Sequence, residues 1–156
     1  MNTLKQFIIL ICASLLSLNL LALIDYRSLA EIALSEASQR TKCISVAIVS
    51  TDGQLSYFER QDCAFLGSVK TSIQKAESAN AFHRPTSDFV KALKDGKLGI
   101  IGANGVLALE GGVPITINGN FMGAIGIGGA TSIEDEEIAK AALQKWDGKN
   151  NNSSKN

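Results

Sequence analysis

Apolar residues along this chain alternate between a spacing of three to four and a spacing of two, and the changes divide it into elements. After Asp25, a helix-capping residue, Leu29, Ile32, Ala33 and Ala37 recur at helical spacing and predict a helix reaching Arg40. Two alternating runs follow, at residues 44–50 and 55–60, around the turn signal Asp52-Gly53, and predict a hairpin. A second helical stripe, Phe65, Val69, Ile73, Ala76 and Ala79-Asn80, runs until Pro85 stops it. Thr86 or Ser87 then caps a short helix that ends at Gly96. Residues 105–112, GVLALEGG, read as a third strand, and PITING with FMGAIGIGG as a second hairpin turning at Asn118-Gly119. A last helix is predicted from Ser132 to Trp146, with Thr131 and Glu134 at capping-box spacing and Ile138, Ala142 and Trp146 as its buried stripe. Its acids, Glu134 to Glu137, read as a helix start on the solvent face. Hairpins joined by helices predict an α+β fold, an antiparallel sheet with helices packed on it.

Composition narrows the picture. The 156 residues suffice for one domain with a core, and 46% apolar against 19% charged residues fits a globular chain. Fifteen basic and fifteen acidic residues leave no net charge and no basic stripe, which argues against a nucleic-acid partner. The start is different in kind: Lys5 precedes an almost unbroken apolar run from Phe7 to Ala22, the pattern of a secretory signal peptide cleaved after Ala22. Leu20 is bulkier than the residue preferred three positions before such a cut, and an uncleaved membrane anchor is the alternative. Cys12 follows Ile11, too large for a lipoprotein signal. The expected organisation is therefore a signal peptide at 1–22, a domain at 23–147 and a disordered tail at 148–156, in a periplasmic or secreted protein with no membrane attachment after cleavage.

Export places Cys43 and Cys63 in an oxidising compartment. They flank the first hairpin, and with its turn centred on Gly53 the two positions mirror each other at the open end. A disulfide there closes a loop of ~20 residues and contributes on the order of 3 kcal/mol in the chain-entropy picture; two free thiols are the alternative.

Glycines crowd residues 111–129, GGVPITINGNFMGAIGIGG, and glycine in a strand needs a reason such as close approach by a ligand or another backbone. Phosphate binding fails on spacing. From Gly126 the third position is Gly128 but the sixth is Thr131, and no Gly-Lys-Ser/Thr of a P-loop is present. Close packing of helices or of subunits is the plainer reason.

The same segment closely resembles the GlcG/HbpS family, also described as the haem-degrading domain family. The family pattern is met at Gly111, Gly112, Pro114, Ile115, Gly119, Gly123 to Ile127, Gly129, Asp135, Glu136 and Ala139. Further matches are VSTDGQL at the hairpin turn, RQDCA at residues 60–64, and Lys75, Ala76, Ala79, Phe82, Pro85 and Thr86. Cys63 stands where the family usually has Gly, Gly128 where it has Ser, and Ser78 where it has Thr. The resemblance covers residues 24–146. It implies a profilin-like fold with a five-stranded antiparallel sheet, assembly into homo-oligomers, and binding of a small molecule, with haem or a related tetrapyrrole as the ligand several members bind or help degrade.

Within that expectation His83, the only histidine, is the candidate iron ligand, an assignment the family motif does not itself make. A surface histidine at a helix end is the bland alternative. Arg84 and Lys75 are candidate partners for propionates, and Phe82, Phe89 and Met122 candidate apolar walls. Thr86, Arg60, Gly111 and Gly112 complete the ligand-binding candidates through the matched motifs. Arg60 and Asp62 read more simply as a structural ion pair below the hairpin. No nucleophile–base pair or cluster of zinc ligands is visible, so catalysis has little support. An enzyme or sensory accessory acting on a small organic acid such as a 2-hydroxy acid, gripped by Arg60, Lys75 or Arg84, is the second reading; a purely structural oligomer is the third.

Overall fold

Asp25 opens helix α1 (Tyr26–Gln39): its Oδ1 accepts the Ser28 amide at 3.0 Å and satisfies one of the orphan donors of the first turn. The computed structural model describes residues 25–153, and the expected signal peptide at 1–22 lies outside the described residues. After α1 come the hairpin β1 (Ser45–Val49) and β2 (Leu55–Arg60), helix α2 (Gly67–Phe82), the short α3 (Ser87–Lys94) and a 3-10 turn (Leu98–Gly102). The hairpin β3 (Gly112–Ile117) and β4 (Asn120–Gly128) and helix α4 (Ser132–Ser153) complete the chain. The strands form one antiparallel sheet in the order β2-β1-β4-β3. Among the described residues, no helix is long and apolar enough to cross a membrane.

The two faces of the sheet are built from different residue sizes. Val46 and Ile48 of β1, Ile125 and Ile127 of β4, and Val113 and Ile115 of β3 face α1 and α4, and with Leu29, Ile138 and Trp146 they make the main core. Each of these large side chains contributes roughly 1.5–3 kcal/mol by burial. On the opposite face, Ala47, Gly126 and Gly112 stand in register across three strands, with Ser45 and Gly128 on one side of that row and Val49, Ala124 and Pro114 on the other. Helix α2 lies on this platform of small residues. A Cβ on Gly126 would fall on the Ser72 carbonyl oxygen of α2 and sit 2.5 Å from the Ala76 nitrogen; one on Gly112 would fall on the Lys75 carbonyl oxygen. The glycines admit the backbone of α2.

That close approach divides the stripe expected for α2: its small members Ala76, Ala79 and Asn80 are buried as expected, but its large ones are not. Phe65 is exposed and Val69 and Ile73 are only half-buried, while Ser68, Ser72, Lys75, Ala76, Ser78 and Ala79 point at the sheet. At this distance only small or fully extended side chains fit beneath a helix.

Four strands form, not the five expected. Residues 105–111 make no strand because their backbone groups are taken locally: the Leu107 amide donates to Ser78 Oγ at 2.9 Å, and the Val106 and Leu109 amides donate to carbonyls of Ala103 and Leu107. Helix α4 continues to Ser153, past Trp146, into the residues expected as a tail; no proline interrupts it, and extending a packed helix is easy once it is nucleated. The capping box is present, the Thr131 amide donating to Glu134 Oε2 at 3.1 Å and the Glu134 amide to Thr131 Oγ1 at 3.4 Å. Hydrogen bonds from Lys42 and Thr131 hold the exposed Glu134 carboxyl down to about 2. The acids beside it are not on the solvent face: Asp135 is 2% and Glu136 6% exposed.

At the open end of the first hairpin Cys43 and Cys63 are joined as a disulfide, with Cα atoms 5.6 Å apart. The expected Arg60–Asp62 ion pair is not made. The Arg60 guanidinium donates instead to the backbone carbonyls of Asp62 and Ala64, fastening the turn between β2 and α2 by its main chain.

The helix-to-glycine contact predicts a sharp contrast between two glycines. Gly126→Ala pushes a methyl into the backbone of α2 and lowers the unfolding free energy by about 3 kcal/mol. Gly99→Ala, with nothing within 4 Å of its added carbon, changes it by less than about 0.5 kcal/mol. Urea denaturation of both variants measures the difference.

Candidate functional site

Two backbone features at one end of the molecule bring an imidazole and a phenyl ring together. Helix α2 ends at His83, whose left-handed backbone (φ 50°) closes the helix with its amide turned back to the carbonyls of Ala79 and Asn80. Strand β4 carries a bulge opposite Ile115 and Thr116: Ile115 pairs with Gly123 but Thr116 pairs with Phe121, so Met122 is the extra residue. Gly123 permits this with φ 129° and no side chain, since a Cβ there would fall on the Val49 carbonyl oxygen. The inserted residue reverses the alternation of the strand. Met122 turns toward the main core, where its carbonyl accepts the Tyr26 hydroxyl at 2.9 Å, and Phe121 turns to the face of α2. The His83 and Phe121 rings stack with centroids 3.9 Å apart and an interplanar angle of 26°. Met122, expected as an apolar wall, is therefore on the wrong face of the sheet, and Phe121 takes that place.

Next to this stack Phe82 and Phe89 meet edge to face at 5.3 Å, and the Arg84 guanidinium lies 4.4 Å from the centre of the Phe89 ring. Phe89 is fully buried, whereas His83 and Arg84 are exposed. The arrangement presents one imidazole, one cation and aromatic surface to solvent, which suits a flat, partly apolar ligand carrying anionic groups.

Four other candidates meet in a different place. Lys75 lies eight residues before His83, about 12 Å away along the helix. Its ammonium is 2.6 Å from Asp135 Oδ2, with 1% and 3% of the two side chains exposed. Asp135 Oδ1 also accepts the Ala130 amide at 3.0 Å. Burial pushes the Lys75 ammonium down and the Asp135 carboxyl up, and their mutual attraction opposes both shifts. Gly111 leaves room for the pair: at φ 119°, a Cβ would stand 2.8 Å from the Asp135 Cβ and 2.9 Å from Lys75 Nζ. Thr86 is fully buried and clasps the start of β3, its Oγ1 accepting the Gly112 amide at 3.0 Å and its own amide donating to the Gly112 carbonyl at 2.9 Å. Lys75, Thr86, Gly111 and Gly112 thus join α2, β3 and α4 from within. Arg60 is remote: its row in the sheet, with Ser45 and Gly128, is about 24 Å along β4 from Phe121.

The sequence pattern does not mark Asp135 as the partner of Lys75; it lies within the acidic run at the start of α4. Beside the pair, Glu136 Oε1 accepts from Ser87 Oγ at 2.8 Å and from Lys140 at 2.5 Å, while its buried Oε2 has no hydrogen-bond partner among the described residues. The groove here, lined by Ser87, Glu110, Ile133 and Glu136, holds about 190 Å³; another beside α1 and Lys145 holds about 290 Å³. Both are open and below the size of sites that enclose a cofactor. Among the described residues, no group of three or more His, Cys, Asp or Glu is placed to hold a metal ion.

Comparison with known proteins identifies the family. The family described as haem degrading protein HbpS-like matches residues 21–144, and the chain belongs to it. Protein GlcG of Escherichia coli K12 is 32% identical over 93 residues, covering 59% of this chain and 69% of GlcG. A solved complex of PduOC with haem is 26% identical with a TM-score of 0.71, covering 80% of this chain and 93% of that one. A double mutant of HbpS from Streptomyces reticuli is 30% identical with a TM-score of 0.69, covering 76% and 82%.

The buried pair predicts a non-additive double mutant. Lys75→Met leaves the Asp135 carboxylate buried without its cation and costs about 3–5 kcal/mol, whereas Lys75→Met combined with Asp135→Leu recovers most of that loss. Equilibrium unfolding of the two single variants and the double variant checks the cycle.

Proposed function

We propose that this chain is an exported binding protein for haem or a related tetrapyrrole, held against the exposed end of α2. The observation that carries the reading is the His83–Phe121 stack, an accessible imidazole fixed on an aromatic platform beside the exposed Arg84 guanidinium, which rests on the Phe89 ring. The haem complex of the similar PduOC supports the same ligand class, and the apolar run before Ala22 supports export to the periplasm or the medium.

The residues present fit such a group at a surface rather than in a cavity. Haem, when bound, supplies an iron that an imidazole nitrogen ligates. His83 presents that nitrogen, and the Phe121 ring against its face limits rotation of the imidazole. Arg84, one residue on, holds a propionate by charge-assisted hydrogen bonds. Phe82 and Phe121 border the macrocycle. Lys75 and Thr86 act from behind by fixing α2 and the start of α3. The alternative, a small organic acid gripped by several cations, draws less support: Lys75 is committed to Asp135 and Arg60 to backbone carbonyls, which leaves Arg84 alone.

Titration of haemin into the purified protein, followed by the main haem absorbance band, tests the reading. Saturable binding is expected, weakened at least about tenfold in His83→Ala and severalfold in Arg84→Ala. An absorbance that the protein leaves unchanged overturns it, and full binding by His83→Ala overturns the role of His83. His83→Gly separates binding from folding: it loses haemin as His83→Ala does, yet is more stable than His83→Ala by about 1 kcal/mol because only glycine holds a left-handed backbone without strain.

A further inference from the structure

Helix α3 and the 3-10 turn after it carry a feature that the site at His83 does not use. Lys91 and Lys94 lie exposed in the last turn of α3, while Phe89 is fully buried beneath the helix. The helix closes at Gly96, whose left-handed backbone (φ 79°) lets its amide reach the Leu93 carbonyl and the Lys97 amide reach the Ala92 carbonyl, both at 2.9 Å. The chain then enters the 3-10 turn Leu98–Gly102. Side chains three apart in such a turn lie one above the other, so Leu98 and Ile101 stand together, 68% and 66% exposed. A Cβ added at Gly99 or Gly102 would meet no atom within 4 Å, so nothing rises beside the two aliphatic side chains. They form a projecting tip, not the wall of a groove.

The charge around this tip is predominantly positive. Residues 91–104 hold Lys91, Lys94 and Lys97 against Asp95 alone, a net of two positive charges in a chain whose total is zero. The other acid of α3, Asp88, sits in its first turn, at the far end from the tip. Among the described residues none of the three lysines is in an ion pair. We infer that this tip docks the protein on an anionic lipid bilayer: Leu98 and Ile101 enter the boundary between headgroups and acyl chains, and the lysines at their base meet lipid phosphates. Lysine suits that place, since its stem lies along apolar surface while its ammonium stays among the headgroups. A projecting aliphatic pair would need a matching hollow on a protein partner, whereas a bilayer yields to it. Nucleic acid is disfavoured because the tip offers no aromatic ring for a base. The exposed Phe65 and Leu66 lack this setting, with Asp62 before them and Lys70 after. The contact is peripheral and needs no spanning helix, so it stands against the expectation of no membrane attachment after cleavage. It owes nothing to the ligand at His83.

Sedimentation of the purified protein with vesicles tests the docking, with phosphatidylglycerol and phosphatidylcholine in equal parts against phosphatidylcholine alone. Binding to the anionic vesicles is expected, at least about tenfold weaker on the neutral ones. It falls as salt rises, because the Debye length shrinks from ~10 Å at 0.1 M to ~3 Å at 1 M. Leu98→Ser combined with Ile101→Ser weakens binding by at least about tenfold, and each of Lys91→Gln, Lys94→Gln and Lys97→Gln by about fivefold. All five side chains are exposed, so these variants keep the unfolding midpoint of the parent. Leu98→Trp reports on the tip itself: its emission moves to the blue on the anionic vesicles, against a constant background from the buried Trp146. Binding carried by a retained N-terminal apolar run would ignore salt and the serine and glutamine substitutions and leave the Leu98→Trp emission unmoved; that pattern overturns the proposal. So does failure to bind the anionic vesicles, or a serine pair that changes the mass of the protein without lipid, which would put the tip between copies of the chain.

Discussion

The fold depends on how closely the backbone of α2 approaches the sheet. Ala47, Gly126 and Gly112 form a row with almost no side-chain height, and the carbonyls of Ser72 and Lys75 occupy the space that Cβ atoms would take. A helix lowered this far cannot bury large side chains beneath itself. The apolar burial that stabilises the domain is therefore concentrated on the other face, in the isoleucines and valines under α1 and α4. On the α2 face stability rests on close contact and on satisfied polar groups, among them the Ser45–Ser68 hydroxyl pair at 2.7 Å. Such a face tolerates removal of atoms better than their addition.

Lowering α2 also determines where charge goes. Lys75 lies on the helix face turned to the sheet, so its ammonium is carried into the interior and must find a partner there. Asp135 supplies it from the first turn of α4, and Gly111 yields the volume that both need. The pair is costly to desolvate, but it spans α2 and α4 on opposite sides of β3, so it ties the two layers in a single relative position. The same lowering places the C-terminal end of α2 directly over the start of β4, which brings His83 onto Phe121.

What was legible in the sequence was what is decided locally. Asp25, the Asp52-Gly53 turn and the Thr131–Glu134 box each act within a few residues and stand as their spacing indicates. The nearness of Cys43 and Cys63 was legible from the turn between them, although the ladder does not keep the mirror about Gly53: Ser45 faces Arg60 and Val49 faces Leu55, and the disulfide closes beyond the paired residues. What was not legible depends on partners far along the chain. The face that α2 buries is set by glycines roughly forty to fifty residues later, so the alanines of its expected stripe are buried while Phe65, Val69 and Ile73 are displaced from beneath the helix. The GVLALEGG segment alternates as a strand should, yet the Ser78 hydroxyl from α2 takes one of its amides. Phe121 and Met122 exchanged roles because strict alternation does not see a bulge, although Gly123 marks the place where one is possible. Asp135 was hidden in a run of acids whose average behaviour is solvated, while its own position is buried.

The His83–Phe121 pair is held by backbone rather than by flexible side chains. His83 is fixed by the left-handed closure of α2, a conformation that costs a non-glycine residue about 1–2 kcal/mol, and Phe121 by a bulge that the Tyr26 hydroxyl pins through the Met122 carbonyl. Glycine at position 83 would close the helix at lower cost, and a plain strand at 121–123 would satisfy the sheet. Each irregularity by itself weakens its own element. Together they aim two aromatic rings from different layers at the same point with little freedom to move. Strain of this kind persists where surrounding structure over-determines it, and here the fixed ends of α2 and β4 do so. On the proposed reading, a ligand arriving at this end of the molecule would meet a surface already ordered, the cost that weakens flexible sites having been met during folding.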